Sequence, residues 1–327
     1  MEKNKKSALE VISNLNKRPS SEEALDLKDE EILSAAEALG FPLNADTRTQ
    51  ILNIHGKVLP LVESKLATLL GNEVTHPDYY PLARDGELIY DALWGLGQAN
   101  GSTLVERTHF TKTSVGMTEK RVDPEYFFGI GITEERLQKG PPIILVDSGF
   151  LGTLFRQIAR WTKISGTIPN ASFRGYLISN AGGMFNSLPF SRKISPTEYD
   201  ELVESMKSSP YERFSGGDLD RAICAFMQLM PKFTGRYTQT YLRQDGVWDV
   251  LPEQNLFAIE KNIGSSTNSI CPSCWENQKN DSSYRPVWIN ADIVDPVTSL
   301  LLQRRTLKYF SNPDVHDRIY SGQIKPG

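Results

Sequence analysis

The stretch from Pro141 to Trp161, PPIILVDSGFLGTLFRQIARW, constrains what this chain can fold into more than any other. A proline pair precedes an unbroken apolar run, Ile143 to Val146, which ends on an acid, Asp147. A strand whose two faces are both covered by helices reads this way, as a continuous apolar run rather than an alternating one. A short loop follows (Ser148, Gly149, Phe150, Leu151, Gly152, Thr153), and then an amphipathic helix from Thr153 to Trp161. Its glycines let the backbone turn tightly, and its amides lie where a helix N-terminus favours anions. The spacing predicts a phosphate-cradling turn at the edge of an α/β sheet. The plain alternative is a strand-to-helix turn whose glycines serve geometry alone, since a short glycine loop is a weak motif by itself.

Around this stretch strands and helices alternate. Tyr79 to Ala83 reads as a strand, Arg84-Asp85-Gly86 as a turn, and Glu87 to Leu96 as a helix with Ile89, Ala92, Leu93 and Leu96 on its apolar face. Ser102 to Arg107 reads as a second strand with Arg107 at its carboxyl end. Residues 123–128 and 133–138 read as short helices, and Phe173 to Ser179 as a further strand followed by Asn180. Such alternation predicts a parallel sheet with right-handed crossovers. In these sheets ligands bind beyond the carboxyl ends of the strands.

One edge would then carry Arg84, Asp85, Arg107, Asp147, the loop with Ser148, Gly149, Gly152 and Thr153, and Asn180. Arginine offers a planar fork suited to phosphate, so Arg84 and Arg107 would neutralise its charge. Asp85 and Asp147 would hold Mg²⁺ or act as base. Ser148, Gly149, Gly152, Thr153 and Asn180 would contact the substrate. Taken alone, Arg84 and Asp85 read better as an ion pair stabilising a surface turn; on the same edge as Asp147 the two readings are even.

The flanks differ in character. Residues 1–75 read as a helical N-terminal region: a short helix over 7–17, a polar linker over 18–29, a helix over 30–39, and a long helical stretch to Leu70 containing Pro60. Residues 76–190 form the expected α/β core, and 191–327 a mainly helical C-terminal subdomain. In that subdomain 195–207, 219–230, 255–262 and 292–310 read as helices, 237–242 as a strand, and the chain from Ser311 as a polar tail. The expected class is therefore α/β, an open, mostly parallel sheet with Rossmann-like βα units and helical flanks.

A formal net charge of -4 gives no global basic field, so nucleic acid is not an expected partner. No apolar run is long enough to span a bilayer, so no membrane is expected either. Three cysteines are an odd, sparse set that argues for a reducing compartment, and cytoplasmic localisation is the expectation. Cys271-Pro-Ser-Cys274 has zinc or redox spacing, but no second such pair completes a tetrahedral site. It reads best as two reduced thiols. His55, His76, His109 and His316 are scattered, and no Gly-x-Ser-x-Gly, Walker loop or complete dinucleotide fingerprint occurs.

The run IILVDSGFLGTL resembles a shortened phosphoribosyl-diphosphate loop of type I phosphoribosyltransferases. In that family a strand ending on acids leads into a Thr/Gly loop over the 5′-phosphate, and Asp147 stands where the family carries two adjacent acids. The pair ARDG (Ala83 to Gly86) and VDSGFLGT (Val146 to Thr153) is also similar to hydrolase-like bacterial proteins related to the haloacid-dehalogenase superfamily, often associated with surface polysaccharide synthesis. Asp85-Gly86-Glu87 is a near miss of that superfamily's Asp-x-Asp motif. Both resemblances imply acids and a glycine loop at the carboxyl edge of an α/β sheet.

The expected function is binding of a phosphorylated small molecule (a sugar phosphate, nucleotide or phosphoribosyl donor), with Mg²⁺-dependent phosphoryl or phosphoribosyl transfer or hydrolysis. The alternative is a non-enzymatic interaction protein that uses the same fold as a scaffold.

Overall fold

The apolar run at Ile143–Val146 does form a strand covered on both faces. In the computed structural model, which describes residues 6–15, 18–41, 45–71, 76–82, 86–99, 101, 103–112, 124–149, 173–179, 193–194, 237–246, 248–252 and 296–321, all four of these side chains are buried. They belong to β2 (Ile143–Gly149), which lies between β1 (Asp78–Pro81) and β3 (Phe173–Ser179) and runs parallel to both. A two-residue β4 (Lys193–Ile194) adds an antiparallel edge to β3. The fold thus mixes helix and strand around a small sheet with three parallel strands.

β1 has a second neighbour. The amide of Tyr79 donates to Arg107 O at 2.8 Å, that of His109 to Tyr79 O at 2.8 Å, and that of Thr111 to Pro81 O at 3.0 Å. These bonds set residues 107–111 parallel to β1, with bridges at Tyr79/Thr108 and Leu82/Thr111. The spatial order is 107–111, β1, β2, β3, β4. From β1 the chain passes through α5 (Glu87–Ala99) to 107–111 on one side. It then returns through α6 (Pro124–Gly129) and α7 (Glu134–Lys139) to β2 on the other side.

Side chains alternate across a strand, and here both sets are buried. Ile144 and Val146 of β2, with Tyr79 and Tyr176, share one core with α4 (Ala45–Gly71), α5, α8 (Pro296–Phe310) and α9 (Pro313–Tyr320). The Tyr176 hydroxyl donates to Lys65 O at 2.6 Å, tying β3 to α4. Ile143, Leu145 and Tyr80 point the other way and are no less buried.

A second core joins the two ends of the chain. Val11, Ile12, Ile32 and Ala36 from α1 (Ala8–Ser13) and α3 (Asp29–Ala38) pack with Val297, Leu300 and Leu301 of α8. Between them lies α2 (Ser21–Asp26), where the sequence reads as a polar linker. It is a helix because Ser20 and Glu23 form a reciprocal capping box and Ala24 is fully buried. Arg304 of α8 adds bonds to Leu27 O and Asp29. The expected polar tail after Ser311 also corrects to a helix, α9. Asn312 caps it, Pro313 occupies its first turn, and Val315 and Ile319 are buried.

The expected strand over 102–107 is not one. Residues 103–107 form turns, with Arg107 N donating to Thr103 O at 3.1 Å, and the extended backbone beside β1 starts only at Arg107. β5 (Tyr237–Leu242) and β6 (Trp248–Pro252) pair as an antiparallel hairpin. The helices expected over 153–161, 195–207, 219–230 and 255–262, and the pair Cys271 and Cys274, lie outside the described residues. Among the described residues no helix is long and apolar enough to cross a membrane.

Candidate functional site

The parallel register brings the carboxyl ends of β1, β2 and β3 together. Pro81 sits opposite Val146, Asp147 opposite Leu177, and Gly149 opposite Ser179. One residue past β1, the Leu82 amide donates to Val146 O at 2.8 Å, so the chain leaves β1 directly beside Asp147. It comes back at once, because the Gly86 amide donates to Leu82 O at 2.7 Å. A β-carbon on Gly86 would stand 2.2 Å from that same oxygen, so only glycine closes this turn. Arg84 and Asp85 themselves lie outside the described residues, as do Gly152, Thr153 and Asn180, but both ends of the 82–86 turn are fixed next to β2.

Two expectations need correction. Ser148 and Gly149, expected in the loop after Asp147, belong to β2, which continues through both, and Gly149 pairs with Ser179. Strand pairing with β3 extends that far because β3 continues to Ser179. An amide cradle can therefore begin only beyond Gly149. Arg107, expected at the same edge, is at the opposite end of β1. It enters alongside Tyr79, and its Nη1 donates to Pro77 O at 2.9 Å. Its placement follows from the missing strand: the chain reaches the sheet at Arg107 rather than leaving it there.

The structure also places three charged side chains at this edge that the sequence reading did not single out. Glu87 and Asp91, one helical turn apart at the start of α5, are buried, and Arg18 reaches them from the segment before α2. Arg18 Nε lies 3.3 Å from Glu87 Oε2, and an Arg18 Nη2 donates to Asp91. The Ser21 hydroxyl donates to Asp91 at 3.2 Å, and Gln303 Nε2 to Pro19 O at 3.0 Å. The guanidinium carbon sits 5.2 Å from the Tyr90 ring centre and 5.3 Å from that of Phe110, within cation–π range of both. Desolvation raises the Asp91 pKa, and Arg18 opposes that rise without cancelling it. The available sequence signal was two acids at i and i+4 beside the apolar stripe of α5. Their partner came from a segment that reads as linker.

A second cluster forms at the amino end of β1. Arg136 of α7 bonds to Asp78, and His109 Nε2 is 3.7 Å from the same carboxylate oxygen. The His109 and Tyr80 rings lie 4.8 Å apart. Burial lowers the His109 pKa although Asp78 opposes it, and burial pushes the Tyr80 phenol up to about 12. With Asp78 already held by Arg136, this cluster ties α7 and the 107–111 segment to β1.

Among the described residues no three His, Cys, Asp or Glu side chains gather as a metal site. Asp85 and the side chain of Asp147, the expected Mg²⁺ ligands, lie outside them. No protein-family model, curated protein or solved structure matches the chain.

Proposed function

We propose that the protein binds a phosphorylated small molecule at the carboxyl edge between β1 and β2, and that it transfers or hydrolyses a phosphoryl or phosphoribosyl group with Mg²⁺. The observation that carries this reading is the strand order. The chain leaving β1 goes to 107–111 on one side and the chain leaving β2 goes to β3 on the other, as at the switch point of a Rossmann-like, doubly wound sheet. Connections that diverge there leave a crevice outside the strand ends, and ligands occupy it.

In this reading Arg84 neutralises phosphate charge, and Asp85 and Asp147 hold Mg²⁺ or accept a proton. Amides beyond Gly149, with Gly152, Thr153 and Asn180, orient the group; Arg107 takes no part. Preorganised donors of this kind supply much of the stabilisation of a charged transition state. The sparse cysteines favour a cytoplasmic setting.

Thermal shift against nucleotides, sugar phosphates and ribose 5-phosphate, each with and without Mg²⁺, tests the proposal. A ligand at a hundred times its Kd should stabilise the protein by about 2.7 kcal/mol. Asp147→Asn should lose the Mg²⁺-dependent part of the shift and leave the unliganded melting temperature nearly unchanged. A flat panel would remove the proposal and favour a scaffold that only docks partners. A large fall in the unliganded melting temperature of Asp147→Asn would give Asp147 a structural role instead.

A further inference from the structure

The acids of this chain are unevenly spread. Residues 20–37 hold seven Asp and Glu against one lysine, a local charge of -6 where the whole chain carries -4, so the remainder is slightly basic. Helix formation accounts for part of the excess. Glu23 closes the capping box of α2, Glu31 accepts from the Lys28 amide at the start of α3, and Asp29 is held by Arg304. It does not account for Asp26, the last residue of α2, where the helix dipole disfavours an acid. Asp26 and Glu30 are both exposed, and among the described residues no hydrogen bond or ion pair engages either carboxylate.

These two carboxylates line a groove of about 1000 Å³ between α1, α2 and α3. Its apolar lining is Ala8, Val11, Leu27, Ala35 and Ala38, of which Val11, Leu27 and Ala35 are buried. Leu9, half exposed, stands beside them. α3 contributes Glu31, Ser34, Ala35 and Ala38, spaced three and four apart, so the groove follows one face of that helix. The small side chains at 34, 35 and 38 let another backbone approach closely. Of the described charged residues along the groove, five are acids and two are lysines. One of those lysines, Lys6, is already paired with Glu23 at 2.9 Å.

We infer that this groove docks a basic amphipathic helix of a partner protein, whose apolar side chains enter beside α3 while its Lys or Arg residues meet Asp26 and Glu30. Charge complementarity selects the occupant: a cation is attracted here, and an anion, phosphate included, is repelled. The inference therefore stands apart from the phosphate-site reading above. A helix is the shape that fits, because apolar anchors at i, i+3, i+4 and i+7 match a trough lined at the same spacing. Exposed ion pairs are individually weak, so the apolar anchors supply the affinity and the carboxylates the choice of partner.

A Leu/Lys amphipathic peptide of about fourteen residues, four helical turns, is the probe, titrated into the full chain and followed by fluorescence anisotropy. It should bind saturably, more weakly as salt is raised, and a Leu/Glu peptide of the same pattern should not bind. Oligolysine of equal charge, which brings no apolar anchor, should bind at least about tenfold more weakly. Asp26→Lys combined with Glu30→Lys should weaken the Leu/Lys peptide by about tenfold at an unchanged melting temperature. Ser34→Trp fills the groove from an exposed position and should weaken the peptide without altering the charge.

Absence of binding overturns the inference, as does equal binding of the Leu/Glu peptide or oligolysine, or an affinity that neither variant changes. A dimer in sedimentation velocity that Ser34→Trp dissociates would make a second copy of the chain the occupant, and overturns it too. Peptide binding that tightens by about tenfold or more in Lys3→Gln with Lys5→Gln would give the groove to the chain's own amino terminus, with the same consequence.

Discussion

His55 shows how one side chain can report on the interior. It is fully buried in the α4–α8 interface, where Nε2 lies 2.9 Å from Thr306 Oγ1. Burial, with a smaller push from Arg305, lowers its pKa from 6.5 to about 3. The neutral ring is therefore favoured by folding, and the unfolded chain binds a proton more readily. The contribution is fully present above pH 6.5 and is lost as pH falls toward about 3. At about 1.4 kcal/mol per unit this is on the order of 5 kcal/mol over the window, as an upper figure. His55→Gln keeps a polar atom for Thr306 but does not titrate. Urea midpoints at about pH 7 and about pH 4 should fall steeply in wild type and much less in the variant; equal slopes would mean that other groups govern the acid limb. Asp91 acts in the opposite sense, since its raised pKa weakens the fold as pH rises. Neither behaviour was legible in the sequence. A histidine at position 55 fits the helical periodicity of α4 as well buried as exposed, and only the fold tells which.

At the scale of elements, legibility follows the strength of the periodic signal. β3 and β5 run over the same residues that the sequence predicts, and β2, α5, α6 and α7 differ from expectation only at their ends. These segments carry unbroken apolar runs or repeated apolar positions. α2 and α9 were missed although capping signals flank both, because each lies in a stretch whose polar residues read as a linker or a tail. The strand over 102–107 failed for the reverse reason: apolar Leu104 and Val105 look like strand residues, yet the chain there closes helical-type turns, and Val105 instead packs close against Gly97 of α5.

Glycines give a sharp test of this packing. A β-carbon at Gly95 would lie 2.9 Å from Leu307 O and 3.1 Å from Phe310 Cβ, so α5 approaches α8 through that gap. Gly95→Ala should cost about 1–3 kcal/mol by overpacking. Gly56, in the middle of α4, has as its nearest neighbour the Arg305 Nη2 at 3.8 Å. Gly56→Ala should therefore gain up to about 1 kcal/mol from reduced backbone entropy. Paired urea titrations should move in opposite directions, and a Gly95→Ala protein as stable as wild type would show that the helices can slide apart freely.

Across the whole molecule, the chain's two ends meet, and this is what sequence periodicity could not reveal. A hydrophobic stripe states that a helix face is covered, not what covers it. α8 supplies Val297, Leu300 and Leu301 to the core with α1–α3, and Phe310 to the core beneath the sheet, where Val315 and Ile319 of α9 join it. Polar pairs run along the same interface. Arg48 donates to Thr298 at 3.0 Å, and Arg318 donates to both oxygens of the buried Glu63 at 2.7 and 2.9 Å. The Tyr309 hydroxyl donates to Glu63 at 2.6 Å. The parallel order of β1, β2 and β3 was legible because it follows from local patterns; the acid pair of α5 was not, since Arg18, which meets it, lies about seventy residues away. This architecture makes α8 and α9 part of the fold rather than an addition to it. Leu300→Ala, at a fully buried position, should cost about 2–5 kcal/mol. Ending the chain before Pro296 removes apolar surface from both cores at once. Such a chain should lose cooperative urea unfolding, and hydrogen exchange should show α1, α3 and α5 deprotected together. Were the truncated chain to unfold cooperatively at the wild-type midpoint, the N-terminal helices and the sheet would be self-sufficient, and α8 would have to be regarded as an outer layer.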